Sequence, residues 1–96
     1  MKPSQAVNIH RDLITEAVTR FRSANPRVFG SVLLGTDVEG SDLDLLVDPL
    51  PGATLFDLGA LQCELETLLG VPVDLLTPGD LPHRWRVSIL ENARPI

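Results

Sequence analysis

Positive charge is scarce in this chain. Eight lysines and arginines stand against thirteen aspartates and glutamates among 96 residues, a formal net charge of −5. A phosphate backbone would meet repulsion over most of such a surface, which excludes bulk nucleic-acid binding and favours a basic protein partner. Cysteine is nearly absent: Cys63 stands alone and cannot form an internal disulfide, in keeping with a reducing compartment. With no histidine or second cysteine at ligand spacing, it reads as a structural thiol on a helix. The only histidines, His10 and His83, also lack partners at a motif spacing and read as surface residues. No apolar run approaches the ~20 residues that span a bilayer, and the N-terminus lacks the basic start and apolar core of a signal peptide. No membrane contact is therefore expected, and a cytoplasmic location is. Repeats and low-complexity tracts are missing too, so residues 1–96 read as one domain.

What is present is ordinary for a folded protein: 44% hydrophobic and 22% charged residues. That leaves room for about three helices and three strands around a small core. From about Asn8 to Ser23, Ile9, Leu13, Ala17 and Phe21 recur at helical spacing with Ile14 and Val18 beside them, which predicts an amphipathic helix ended by Asn25-Pro26. A strand is expected from about Arg27 to Leu33 and a second over Asp42 to Val47, joined by a polar loop. Asp48 to Gly52 is a break. Thr54 and Asp57 form a capping-box start for a second helix, whose leucine stripe from Leu58 to Leu69 ends at Gly70. Val71 to Leu76 reads as a third strand, and Asp80 as the cap of a last helix containing Trp85, Ile89 and Ala93. The fold class is thus α/β (α+β), a small mixed sheet of about three strands with flanking helices in the order α-β-β-α-β-α. A right-handed crossover would set the third strand parallel to the second.

Chemistry outweighs packing in one stretch, Val28 to Val47. On the second strand Asp42 and Asp44 share a face, because side chains two apart on a strand point the same way. Like charges so close repel, and a hard divalent cation such as Mg²⁺ relieves the repulsion most naturally. By itself an Asp-x-Asp reads more readily as a turn cap and a solvated edge residue. Here Gly30-Ser31 lies ten residues before Asp42 with Gly35 following, and glycine inside a strand suits a ligand that must approach the backbone closely. Asp74 is a further carboxylate among aliphatic neighbours; it is either a third ligand brought in by the crossover or a surface aspartate. Asp48 is in phase with the pair, but its place before Pro49 makes it a strand-end residue.

Gly30-Ser31, Asp42-Leu43-Asp44 and the later Asp74 resemble the signature of the polymerase-beta-type nucleotidyltransferase superfamily. The short length is similar to its minimal nucleotidyltransferases, the MNT antitoxins of HEPN/MNT toxin–antitoxin modules. The resemblance implies that Asp42, Asp44 and Asp74 are catalytic and hold Mg²⁺ in two sites, with Asp74 helping to deprotonate the attacking hydroxyl. Gly30, Ser31, Gly35 and Ser41 would form the nucleotide-binding set. It further implies transfer of AMP from ATP to a tyrosine of a HEPN ribonuclease toxin, in a hetero-oligomer with that toxin. The alternatives are an antitoxin that acts by steric contact alone and a transferase acting on a small molecule resembling an aminoglycoside. One departure stands out. Val32, Leu33 and Leu34 occupy the gap where relatives carry basic residues, which would weaken the grip on phosphates.

Overall fold

The computed structural model describes residues 1–96. A four-stranded mixed sheet in the order β3-β2-β1-β4 forms its centre. β1 (Ser23–Phe29) and β2 (Leu43–Pro49) are antiparallel, β3 (Val73–Leu76) runs parallel to β2, and the short β4 (Arg94–Pro95) lies antiparallel on the far side of β1. Helices α1 (Pro3–Ile9), α2 (Arg11–Arg20) and α4 (Leu55–Leu69) supply the apolar layer. Alternation along β2 sends Leu43, Leu45 and Val47 into one core with Val28, Val73, Ile14, Val18, Leu61 and Leu65. Asp44, Leu46 and Asp48 therefore belong to the opposite face, where a 3-10 turn at Pro78–Asp80 lies against β2. No helix is long and apolar enough to cross a membrane.

The parallel β2–β3 pairing and the α4 crossover agree with the reading of the sequence. Other elements differ from it. The expected first helix is two, split at His10, and Ile9 and Leu13 of its presumed apolar stripe are exposed while Ala6 and Val7 of α1 are buried. Asn25-Pro26 does not end the helix. It sits inside β1 as an irregularity between Ala24 and Arg27, with Asn25 at φ 55°, a left-handed conformation that asparagine tolerates better than most residues. The first strand stops at Phe29, and Gly30–Leu34 is a short helix, α3, where a strand was expected. Gly30 at φ +68° turns the chain out of the strand, and Val32 then packs into the core. There are four strands, because the two-residue β4 carries no periodicity to read.

Helix α4 behaves as its sequence promises. Thr54 Oγ1 accepts from the Asp57 N–H (3.2 Å), Asp57 Oδ2 accepts from the Thr54 N–H (2.9 Å), and Gly70 closes the other end at φ 67°. Asp80 instead caps the 3-10 turn through the Thr77 N–H (3.0 Å), and α5 (His83–Asn92) begins without a side-chain cap. Replacing Thr54 with alanine should cost about 1 kcal/mol, as loss of an N-cap does. For a domain of this size that is a fall in Tm of roughly 4–8 °C, read by thermal unfolding.

Candidate active site

The site is built where three strands lie abreast. In register, Phe29 of β1 is opposite Asp44 of β2, and Asp44 is opposite Asp74 of β3. The sequence places Asp44 and Asp74 thirty residues apart, and the crossover through α4 makes them cross-strand neighbours. Directly after Phe29 comes Gly30, and a Cβ added there would fall on the Asp44 carboxylate, chiefly its Oδ2. Glycine is required twice over, by its positive φ and by the carboxylate that fills the side-chain position. The spacing from Gly-Ser to Asp-x-Asp is thus the register of an antiparallel pair folded back through α3.

Electrostatics sharpen the picture. Asp44 is half-buried, and its carboxyl titrates above the ordinary 3.8: burial is the largest cause, the charge of Asp74 the next and that of Asp42 the third. Asp42 lies one residue before β2 and is exposed, as is Asp74. No three Asp, Glu, His or Cys side chains stand in a finished ligating cage. The donor set still fits a hard divalent cation. Asp44 and Asp74 oppose each other in the sheet, their repulsion disfavours ionisation of Asp44, and Gly30 leaves the carboxylate lying against the α3 turn.

The remaining residues of the expected set have local structural duties. Gly30 and Ser31 open α3, whose first N–H groups have no acceptor within the helix. Gly35 ends α3 in the left-handed region at φ 73°, where nothing would obstruct a Cβ, so conformation is its reason. Ser41 Oγ accepts from the Val38 N–H (3.0 Å) and closes the loop before β2. Of the apolar trio, Val32 is core, Leu33 is half-buried, and Leu34 is 74% exposed. Asp48 is occupied elsewhere: it accepts from Arg27 Nη1 (3.1 Å) and Asn25 Nδ2 (3.1 Å).

Reasoning from sequence missed Asp37. This buried carboxylate accepts from the Ser4 N–H of α1 (2.9 Å), which holds its pKa below the ordinary carboxylate value and ties the loop beside the site to the first helix. A bond spanning 33 residues leaves no local pattern to find. His10 lies at the junction of α1 and α2, His83 opens α5, and the Cys63 thiol is exposed on α4.

Fold and site together define a nucleotidyltransferase architecture, and comparison agrees. Residues 10–96 match the nucleotidyltransferase domain family, and the chain belongs to it. Two proteins of Methanocaldococcus jannaschii, both named putative protein adenylyltransferase, are similar. One is 39% identical over 66 residues, covering 69% of this chain and 71% of that protein; the other is 28% identical over 82 residues, covering 85% and 81%. A solved structure described as a putative minimal nucleotidyltransferase superposes with a TM-score of 0.86 at 39% identity, covering 97% of this chain and 95% of that one. A toxin–antitoxin crystal structure with AMP-PNP shares the fold at a TM-score of 0.65 and 19% identity, over 97% of this chain and 71% of that one.

A raised carboxyl pKa has a definite sign in stability. The fold is free of the penalty below the ordinary 3.8 and loses stability as pH rises through the raised value. In the absence of divalent cations, Asp44→Asn should therefore raise Tm at pH 7, a gain that vanishes towards pH 3. Adding Mg²⁺ should stabilise the wild type and leave the variant unmoved in the same thermal scans.

Proposed function

We propose that this chain is a protein adenylyltransferase that uses Mg²⁺ to move AMP from ATP onto a tyrosine of a HEPN-type toxin bound to it, silencing the toxin. The observation that carries the reading is the Asp44–Asp74 pair laid against Gly30. Support comes from the two relatives named as protein adenylyltransferases and from the shared fold of the toxin–antitoxin structure with AMP-PNP.

Asp42, Asp44 and Asp74 would hold Mg²⁺, which when bound neutralises triphosphate charge and aligns the reacting groups. Gly30 and Ser31 bring the α3 backbone close to the phosphates, while Gly35 and Ser41 hold the ends of the adjoining loop. The tyrosine oxygen attacks the α-phosphorus, and the bond from that phosphorus to the bridging oxygen of the leaving group breaks. Pyrophosphate departs with the electron pair, and the tyrosine proton passes to an Asp74 oxygen. Asp74 is exposed, which suits a base that must meet a hydroxyl carried by another protein.

Leu34 favours a second reading, in which the chain neutralises its toxin by contact alone, since an exposed leucine stands where a phosphate-binding cation would be useful. Co-expression with a HEPN-type protein encoded by the neighbouring gene, followed by incubation with α-labelled ATP and Mg²⁺, separates the two. The enzyme labels the toxin in wild type and not in Asp44→Asn; equal neutralisation by both forms without label establishes the contact mechanism. On the enzyme reading, Leu34→Arg should tighten ATP binding by about tenfold in calorimetry, the equivalent of ~1.4 kcal/mol. Unchanged affinity would place the triphosphate away from α3.

A further inference from the structure

Of the three aspartates, Asp42 is the one that no strand holds. β2 begins one residue later at Leu43, whose N–H donates to the Pro72 carbonyl (2.8 Å) and fixes the chain on that side. On the other side stands Ser41, locked to Val38 in a closed turn. Its N–H donates to the Val38 carbonyl (3.0 Å), and its Oγ accepts from the Val38 N–H (3.0 Å). Where the Asp42 carboxylate stands therefore depends on what that turn hangs from.

It hangs from Asp37. Residues 34–42 run along the surface, and Asp37 is the one among them that is buried, at 6% exposure. Its Oδ2 accepts from the Ser4 N–H (2.9 Å). Ser4 stands in the first turn of α1, where no carbonyl of the helix is in place to accept that hydrogen. Ala6 and Val7 bury α1 in the core, so Ser4 is a fixed point. An apolar side chain would anchor a loop at less cost, since burying a carboxylate is expensive without hydrogen bonds. What the charged bond adds is direction. Val38 follows Asp37 immediately, so the orientation imposed on Asp37 passes to the Val38–Ser41 turn and from the turn to Asp42.

We infer that Asp37 is a positioning residue for the cation site: through Ser4 it uses α1 as a brace that holds Asp42 within reach of Asp44. The charge of Asp42 is felt at the Asp44 carboxyl, so the two already lie near each other. The inference rests on the proposed reading of Asp42, Asp44 and Asp74 as Mg²⁺ ligands, and adds to it the residue that orients the ligand outside the sheet. The brace itself comes from outside residues 10–96, the part of the chain that matches the nucleotidyltransferase domain family.

The test measures cation binding by the purified chain, with no nucleotide or acceptor present. Mn²⁺, which like Mg²⁺ suits carboxylate and water oxygens, loses its free-ion signal in electron paramagnetic resonance when it binds. Asp37→Ala, checked as folded by circular dichroism, should weaken Mn²⁺ binding about tenfold, as loss of a residue that orients a ligand does. Asp37→Asn keeps an oxygen that accepts from Ser4 and should stay within about threefold of wild type, the effect of one screened charge. Asp42→Asn alone and the double variant carrying Asp37→Ala and Asp42→Asn should bind alike, because Asp37 acts through Asp42. Equal losses in Asp37→Ala and Asp37→Asn would reduce Asp37 to a remote charge and overturn the inference. Asp37→Ala that binds as wild type does, or a double variant weaker than Asp42→Asn, overturns it as well. Wild type supplies a check that needs no variant. If brace and cation reinforce each other, saturating Mg²⁺ should slow hydrogen exchange at the Ser4 amide. Unchanged exchange there overturns the inference even where Asp37→Ala does not fold. A wild type that takes up no Mn²⁺ is a separate result, because it removes the cation reading itself and this inference with it.

Discussion

Two carboxylates that repel each other face one another across the β2–β3 pairing, and the fold holds them together. Asp44 and Asp74 are register partners on adjacent parallel strands, and Asp44 has no room to retreat because Gly30 lies against it. Parallel pairing requires a crossover, so α4, with its capping box, leucine stripe and terminal Gly70, exists in part to deliver Asp74. The apolar layer of α1, α2 and α4 anchors β2 through Leu43, Leu45 and Val47, which fixes by alternation where Asp44 points. A structure that stores repulsion in this way is poised for a cation.

The parallel pairing that sets Asp74 beside Asp44 was legible in the sequence, because a strand–helix–strand connection returns the chain to the neighbouring strand. Helix α4 was legible down to its caps, which are set by short-range geometry. What was not legible depended on partners distant in sequence. Asp37 looks like any loop aspartate until Ser4 is folded onto it. The stretch from Gly30 to Leu34 reads as a strand by composition, since Val and Leu serve both elements, and only the conformation of Gly30 decides for helix. The break at His10 carried no local signal, and Asn25-Pro26 carried a misleading one for the end of a helix that stops at Arg20. At Asn25-Pro26 the local signal suggested an ending, and tertiary packing placed it elsewhere.

The apolar trio after Ser31 also changes meaning once folded. Val32 is there for the core, and Leu33 is half-covered. The departure from a basic pattern thus reduces to Leu34, a single exposed position.

The separation of thirty residues between Asp44 and Asp74 governs the lifetime of the site. The acidic pair exists only while α4 is docked and β3 is paired, so undocking of the helix and dissolution of the site are one event with one free energy. Whatever bridges the two carboxylates must then also clamp the helix, by an amount set by its concentration relative to its dissociation constant. Occupancy at the sheet edge would thereby slow exchange of amide hydrogens along the far side of α4, well away from the ligand itself.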